Sequence, residues 1–288
     1  MRSLRGGRRH GRPIPRGDGA FGGGDRGPGV PRPSGALRGL AVDLGSSAAR
    51  AWVPGRGLVA CSVWDDGPGR PVRRGRIVDP DLCGRLLARL ADTALGPDRH
   101  DSVIVLSHPV LAGPEHRGRA KDLLSALGPS EALVLSSARA VAACAGGPDS
   151  GPLLVVDMGA ELTEVTLLVD GRVADARQAE TGLSDLSDVE PGSLPIHLAG
   201  DVTDMIGSMW RQDIHGAVRG ALRRGPVLTG GGALRSDVIH RIAMRLGTPV
   251  RLAGDPSTAV VRGAGLLLGS MLRHAGTGTV AVLPGRLR

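Results

Sequence analysis

The sequence predicts an α/β protein built from two similar lobes, and three observations carry that prediction. Short apolar strands alternate with amphipathic helices from about residue 38 to residue 270, the order that builds an α/β domain. One unit occurs twice: a buried strand, an Asp, one residue, a Gly, a small turn and a returning strand, at Asp43-Leu44-Gly45 and at Asp157-Met158-Gly159. The composition also changes abruptly near Gly39, where a Gly/Arg/Pro-rich opening gives way to apolar runs. The expected organisation is a tail over 1–36, a first lobe over 37–150, a second lobe over 151–274 and a C-terminal extension over 275–288.

Residues 1–36 have hardly a large apolar side chain, so burial cannot offset the entropy of ordering them, and disorder is expected. Gly22 to Gly27 match G-x-G-x-x-G by letters, but no strand precedes them and no helix follows. Strands are predicted at Leu40 to Val42, Ala49 to Val53 and Gly57 to Val63, followed by a polar connector from Asp65 to Arg76. Asp79-Pro80 supplies a cap and an N1 proline for a helix with an apolar face at Leu82, Leu86 and Leu90, closed by Gly96. Ser102 to Leu106 reads as a strand, Glu115 to Leu127 as a helix, Ala132 to Leu135 as a strand and Ala138 to Ala145 as a short helix.

The second half opens with Leu153 to Val156 and Val165 to Val169, and Asp170-Gly171 is a two-residue hairpin signal leading to a third strand. Asp175 to Ala199 is polar and reads as a loop. Asp201 is the expected cap of one long helix with its stripe at Val202, Met205, Ile206, Met209, Trp210, Ile214, Ala217, Val218 and Leu222. A strand over Pro226 to Leu228, the Gly230-Gly231-Gly232 turn, a helix from Ser236 to Leu246, a strand at Val250 to Leu252 and a helix begun by Asp255-Pro256 complete the chain.

Composition narrows the function. With 288 residues, 41% of them hydrophobic, the chain can bury a sizeable core. No run approaches the roughly 18 apolar residues of a membrane span, and no apolar stretch follows the N-terminal Arg residues as in a secretory signal. A cytoplasmic protein is expected, with the tail allowing a position at the membrane periphery. Cys61, Cys83 and Cys144 are too widely spaced for a disulfide framework or a zinc knuckle. His108 and His116 lack metal-motif spacing and read as loop residues. The net charge of +8 is concentrated in residues 1–38, where nine Arg face two acids, so the rest is nearly neutral. Such a tail would bind RNA or an anionic membrane surface, or serve only as a solvated extension.

Chemistry is suggested by the repeated unit. A carboxylate is seldom buried without a partner, and Gly lets backbone approach a ligand, so a metal-bound phosphate is a natural guest for Asp43 and Asp157. The competing reading is an ordinary hairpin whose Asp caps its own turn. The triple Gly turn at 230–232 lets a ligand lie against bare backbone, or simply makes a tight strand-to-helix connection. No Walker A loop is present, because the only lysine, Lys121, follows no Gly-rich loop.

Together, Asp43-x-Gly, Asp157-x-Gly and Gly230-Gly231-Gly232, each after a buried strand, resemble the two phosphate turns and the adenosine turn of the actin, sugar-kinase and heat-shock-chaperone ATPase superfamily. The match is closest to the MreB-type bacterial actins, which determine rod shape. Arg73 to Asp79, Ile104 to Gly147 and Thr229 to Leu268 extend the likeness to about residues 38–270. The resemblance implies an actin-like ATPase fold, two RNase H-like lobes around a nucleotide cleft. It also implies ATP with Mg²⁺ held through water by Asp43 and Asp157. Gly45, Ser46, Ser47 and Gly159 would cradle phosphates, and Gly230, Gly231, Gly232 and Ala233 would border the adenosine. Self-association or binding to cell-shape proteins is implied in the same way.

Departures from the pattern point to weak or vestigial binding. Glu161 stands in the second phosphate turn, where a carboxylate about 4 Å from a phosphate would cost roughly 4 kcal/mol at a surface-like dielectric. Ser136-Ser137 stands where the family has its water-activating Glu, and neutral Ser is a poor base. Too few residues separate Trp52 from Arg76, or Asp175 from Asp201, to build full outer subdomains. A scaffold or interaction element of cell-shape or cell-wall organisation is the leading expectation. An active Mg-ATPase using Glu161 or Glu164 as base is the alternative, and a nucleic-acid or membrane binder acting through the tail is a third.

Overall fold

The computed structural model describes residues 37–64, 69–145, 151–186 and 196–276. The expected tail and residues 277–288 of the expected extension lie outside them. The elements run β1 (Arg38–Leu44), β2 (Ala48–Val53), β3 (Gly57–Val63), β4 (Val72–Arg73), β5 (Arg76–Ile77), α1 (Pro80–Leu95), β6 (Ser102–His108), α2 (Pro114–Ser125), β7 (Glu131–Ser136) and α3 (Ser137–Cys144). The second half adds β8 (Leu153–Met158), β9 (Thr163–Val169), β10 (Arg172–Ala179), α4 (Ile196–Arg211), α5 (Ala217–Arg224), β11 (Val227–Thr229), α6 (Ser236–Leu246), β12 (Arg251–Leu252) and α7 (Ala259–Gly276).

Two five-stranded sheets share one topology, β3-β2-β1-β6-β7 and β10-β9-β8-β11-β12. In each, three strands meander antiparallel and two more join in parallel through helical crossovers. The register repeats as well. Asp43 lies opposite Arg50 on β2 and Ser107 on β6. Asp157 lies opposite Glu164 on β9 and Thr229 on β11.

Strand alternation decides where these acids point. On β1, Leu40 and Val42 pack outward with Leu86, Leu87 and Leu90 of α1. On β8, Leu154 and Val156 pack outward with Val202 and Ile206 of α4. The odd-numbered Ala41, Leu153 and Val155 face inward, into one cluster with Val141 of α3 and with Ala264 and Leu268 of α7. Asp43 and Asp157 continue those inward rows past their apolar members, so both emerge on the facing sides of the two sheets.

The equivalent helices α3 and α7 pack against each other at this junction. The contact is backbone-close: a Cβ on Gly263 would fall 1.8 Å from the carbonyl oxygen of Ala140. Although α7 follows the second sheet in sequence, it packs on β1, with Leu268 and Leu272 against Gly39. The segment expected as the second lobe therefore lends its last helix to the first.

Local differences from the sequence reading have physical causes. The Asp175 to Ala199 stretch is not all loop, because β10 pairs with β9 as far as Ala179 and α4 begins at Ile196. Ladder hydrogen bonds hold an edge strand whatever its polar side chains suggest. The long helix expected after Asp201 is two helices, separated at Gly216 in a left-handed conformation. Both press one apolar face on the same sheet through Met209, Val218 and Ala221, which is why the stripe runs across the break. Asp201 lies inside α4 and accepts the Thr181 hydroxyl at 2.6 Å. The polar connector contains the β4–β5 hairpin, and α7 starts only at Ala259. Where outer subdomains would stand, the described residues hold only that hairpin and a turn of 3₁₀ helix at Ser184–Leu186.

Candidate functional site

A cleft of about 170 Å³ opens between the two hairpins. Asp43, Gly45, Ser46, Ser47 and Arg50 line it from β1, β2 and their turn, and Asp157, Gly159 and Glu164 from the second hairpin. Ser107, His108 and Ser137 form its floor, and Gly230, Gly231 and Pro256 close the far side.

Each turn closes on itself. The Gly45 amide donates to Ala48 O at 2.9 Å, and the Gly159 amide donates to Leu162 O at 2.9 Å. These two N–H groups serve the turns. Among the described residues the first turn is otherwise anchored through its carbonyls, with Trp64 Nε1 donating to Ser46 O at 2.7 Å and the Trp64 amide to Ser47 O at 3.1 Å.

The second turn is enclosed. The Leu183 amide donates to Gly159 O at 3.1 Å and the Ser184 amide to Ala160 O at 2.8 Å. On its other side Glu161 is buried and does not line the cleft. Its carboxylate accepts from Arg70 Nη1 at 2.8 Å and from the Arg74 amide at 2.9 Å, with Arg73 Nη2 at 3.8 Å. The β4–β5 turn makes this possible. Arg74 and Gly75 both have positive φ, 46° and 72°, and Gly75 leaves room for Leu162, whose Cδ2 would stand 2.7 Å from a Cβ there. Arg76 pairs with Glu180 at 2.6 Å, and Arg74 reaches Asp185 at 3.3 Å and the Glu180 carbonyl. The expected collision between Glu161 and a phosphate therefore does not occur, since the carboxylate turns away into a clasp that joins the β4–β5 hairpin of the first half to the second half. The same placement removes Glu161 as a base acting in the cleft.

Glu164 does line the cleft. Its carboxylate accepts from the Val110 amide at 2.7 Å and from Ser137 Oγ at 3.2 Å. Burial pushes its pKa up to about 7 despite those bonds. Asp157 is raised further, to about 8, first by burial and then by the charges of Glu164 and Asp43. Asp43 is also raised by burial, but Arg50, 3.9 Å from its Oδ2, and Ser107, 3.2 Å from its Oδ1, pull it back. His108 lines the cleft at the end of β6, with burial holding it below its usual range and therefore neutral.

The triple Gly turn follows β11, and its first members border the cleft. Gly230 has φ 80°, and a Cβ there would fall 2.4 Å from Met158 O and 2.6 Å from Asp157 Oδ1. Gly232 and Ala233 are buried, Gly232 against Met158, and do not line the cavity. Two of the four residues expected at an adenosine thus pack the end of β8.

Asp43 and Asp157, which both line the cleft, are the carboxylates that would hold a Mg²⁺ through water together with phosphate oxygens, and Arg50 stands 3.9 Å from Asp43. Sequence reasoning missed Arg50 and placed His108 in a loop. Counting seven residues on from each Asp-x-Gly aspartate would have found Arg50 and Glu164 together.

This is the actin-like ATPase fold. The chain is similar to MreB5 of Spiroplasma citri bound to ADP, with a TM-score of 0.70 and 15% identity over 84% of this chain and 99% of that one. The same protein bound to AMPPNP aligns with a TM-score of 0.71 at 15% identity and the same coverage. The ethanolamine utilization protein EutJ from Carboxydothermus hydrogenoformans aligns with a TM-score of 0.56 and 18% identity, over 82% of this chain and 90% of that one. No protein-family model matches the sequence, and neither does any curated protein. Among the described residues no helix is long and apolar enough to cross a membrane.

Proposed function

We propose that this protein is an MreB-like scaffold or interaction element of cell-shape or cell-wall organisation, acting in the cytoplasm, with vestigial ATP binding and little or no hydrolysis. The observation that carries this reading is the clasp. Glu161, Arg70, Arg74, Arg76, Glu180 and Asp185 tie the two sides of the cleft together with the chain's own side chains. Closure that a bound nucleotide would otherwise have to stabilise is thus built in. The small cleft agrees, since sites that bury a drug-sized ligand run to about 300–1,000 Å³ and this one is about 170 Å³. MreB5 has been crystallised with ADP and with AMPPNP, which supports the phosphate cleft as the place where ATP would bind here, against Ser46, Ser47 and Gly231.

One observation favours a second reading, an active ATPase. Glu164 lines the cleft with a pKa near 7, where a general base works well. Against it, both carboxylate oxygens already accept hydrogen bonds. Calorimetric titration with ATP, with and without Mg²⁺, beside steady-state phosphate release separates the two. The scaffold reading expects weak heat and no sustained release. Turnover that falls with Glu164→Gln would establish the ATPase instead.

A further inference from the structure

After β10 the chain runs as a strap, Thr181 to Leu186, across the second Asp-x-Gly turn. Its backbone is held along its length. The Thr181 carbonyl accepts the Thr163 hydroxyl at 2.8 Å, and the Thr181 hydroxyl donates to Asp201 of α4 at 2.6 Å. The Gly182 amide donates to Asp185 Oδ2 at 2.8 Å, and a Cβ on Gly182 would fall 2.4 Å from Ala160 O, so the strap lies directly on the turn. Leu183 and Leu186 both rest on the apolar core of the second half. Of the strap residues only Leu183 lines the cleft. Its amide is bonded to Gly159 O at 3.1 Å, and its Cδ1 would stand 2.8 Å from a Cβ on Gly231. One apolar side chain therefore reaches from the second turn to the triple Gly turn, and the space that a side chain on Gly231 would take is already filled.

We infer that Leu183 is a plug that sets the ligand specificity of the cleft: it closes the side at Gly231 to a nucleoside and leaves the side at Gly45, Ser46 and Ser47 open to a phosphate chain. The inference rests on the phosphate cleft proposed above. A base and ribose laid against Gly231 would meet the Leu183 methyl groups. Admitting them requires the side chain to turn out into solvent or the strap to lift off its hydrogen bonds with Gly159 and Ala160. Either change exposes apolar surface or strips backbone carbonyls of their partners, so a nucleotide binds only through a minor population of the protein, and its apparent affinity falls in proportion. A bare phosphate chain needs neither change.

Calorimetric titration of the full chain in Mg²⁺ with ATP and, separately, with tripolyphosphate tests the plug. Leu183→Ala should bind ATP about tenfold or more tightly than wild type, with the tripolyphosphate affinity unchanged. Leu183→Val should move the same way by less, and serves if the alanine variant does not fold. Leu186→Ala, which trims the neighbouring anchor outside the cleft, should leave both affinities alone. ATP binding that is unchanged or weakened in the folded Leu183 variants overturns the plug, and so does an equal gain in Leu186→Ala, which would assign the effect to a loosened strap. If the variants bind tripolyphosphate but gain nothing for ATP, only the plug falls. If no variant binds either ligand, the phosphate cleft falls with it.

Discussion

At the first Asp-x-Gly hairpin the strand-end acid faces Arg50; at the second it faces Glu164. The backbone plan of the two hairpins otherwise matches, from the hydrogen bond that closes the turn to the hydroxyl residue on the parallel neighbour, Ser107 or Thr229. The turns themselves differ in surroundings. Ser47 sits in a turn held from one side by Trp64, whereas Glu161, at the same place in the second turn, is buried under two arginines and a backbone amide. One backbone plan thus carries two electrostatic jobs: the first hairpin keeps a charge-balanced acid in the cleft, and the second supplies the bolt that holds the halves together. The fold tolerates this division because the sheets and the α3–α7 junction, rather than the turns, hold the architecture.

The largest effect is expected where the equivalent helices of the two halves meet. Gly263→Val would drive a side chain into the Ala140 backbone, costing more than ~4 kcal/mol and losing the cooperative melt by circular dichroism. A folded Gly263→Val protein would show that the junction is loosely packed and that the turns matter more.

Next comes the matched pair of turn substitutions. Glu161→Gln removes the charge that Arg70 Nη1 meets at 2.8 Å and should cost about 3 kcal/mol or more, the range for breaking a buried pair. In thermal melts that is roughly 6–12 °C for a domain of this size. Ser47→Ala at the corresponding position should change stability by less than about 0.5 kcal/mol. Equal effects at the two positions would erase the distinction between the hairpins.

The acids themselves give a smaller, pH-dependent contrast. Because the folded pKa of Asp157 is raised to about 8, the folded state binds more protons than the unfolded one between about pH 4 and pH 8. Stability is therefore greatest at the acidic end of that window and falls as pH rises through it. Asp157→Asn should flatten the slope and raise stability near pH 8–9 by about 1–2 kcal/mol. Asp43→Asn should gain less, because Arg50 already offsets the burial of Asp43. Denaturant melts across pH on both variants check the order of the two effects.

How much of this was legible in the sequence differs between fold and site. The Asp-x-Gly units, the apolar strands around them and the Asp79 cap, whose carboxylate accepts the Leu82 amide at 2.8 Å, are local signals, and they marked the strands of the two sheets and the hairpins that line the cleft. The clasp was not legible, because Arg70 and Glu161 are far apart in sequence and meet only through the β4–β5 turn. Read locally, Glu161 was a carboxylate aimed at a phosphate; packed, it is a partner for two arginines. The break at Gly216 was hidden for a related reason, since an apolar stripe reports the face that is buried and not the continuity of the helix. Arg50 escaped notice because a lone Arg on an alternating strand reads as an outward side chain until both sheets are in view.

Hydrogen–deuterium exchange over residues 69–79 and 157–164, with and without ATP, tests the clasp most directly. Both segments should be protected in the nucleotide-free wild type, with ATP adding little and Glu161→Gln exposing the two together. Protection that appears only when ATP is added would mean that the nucleotide, and not the arginine clasp, closes the cleft.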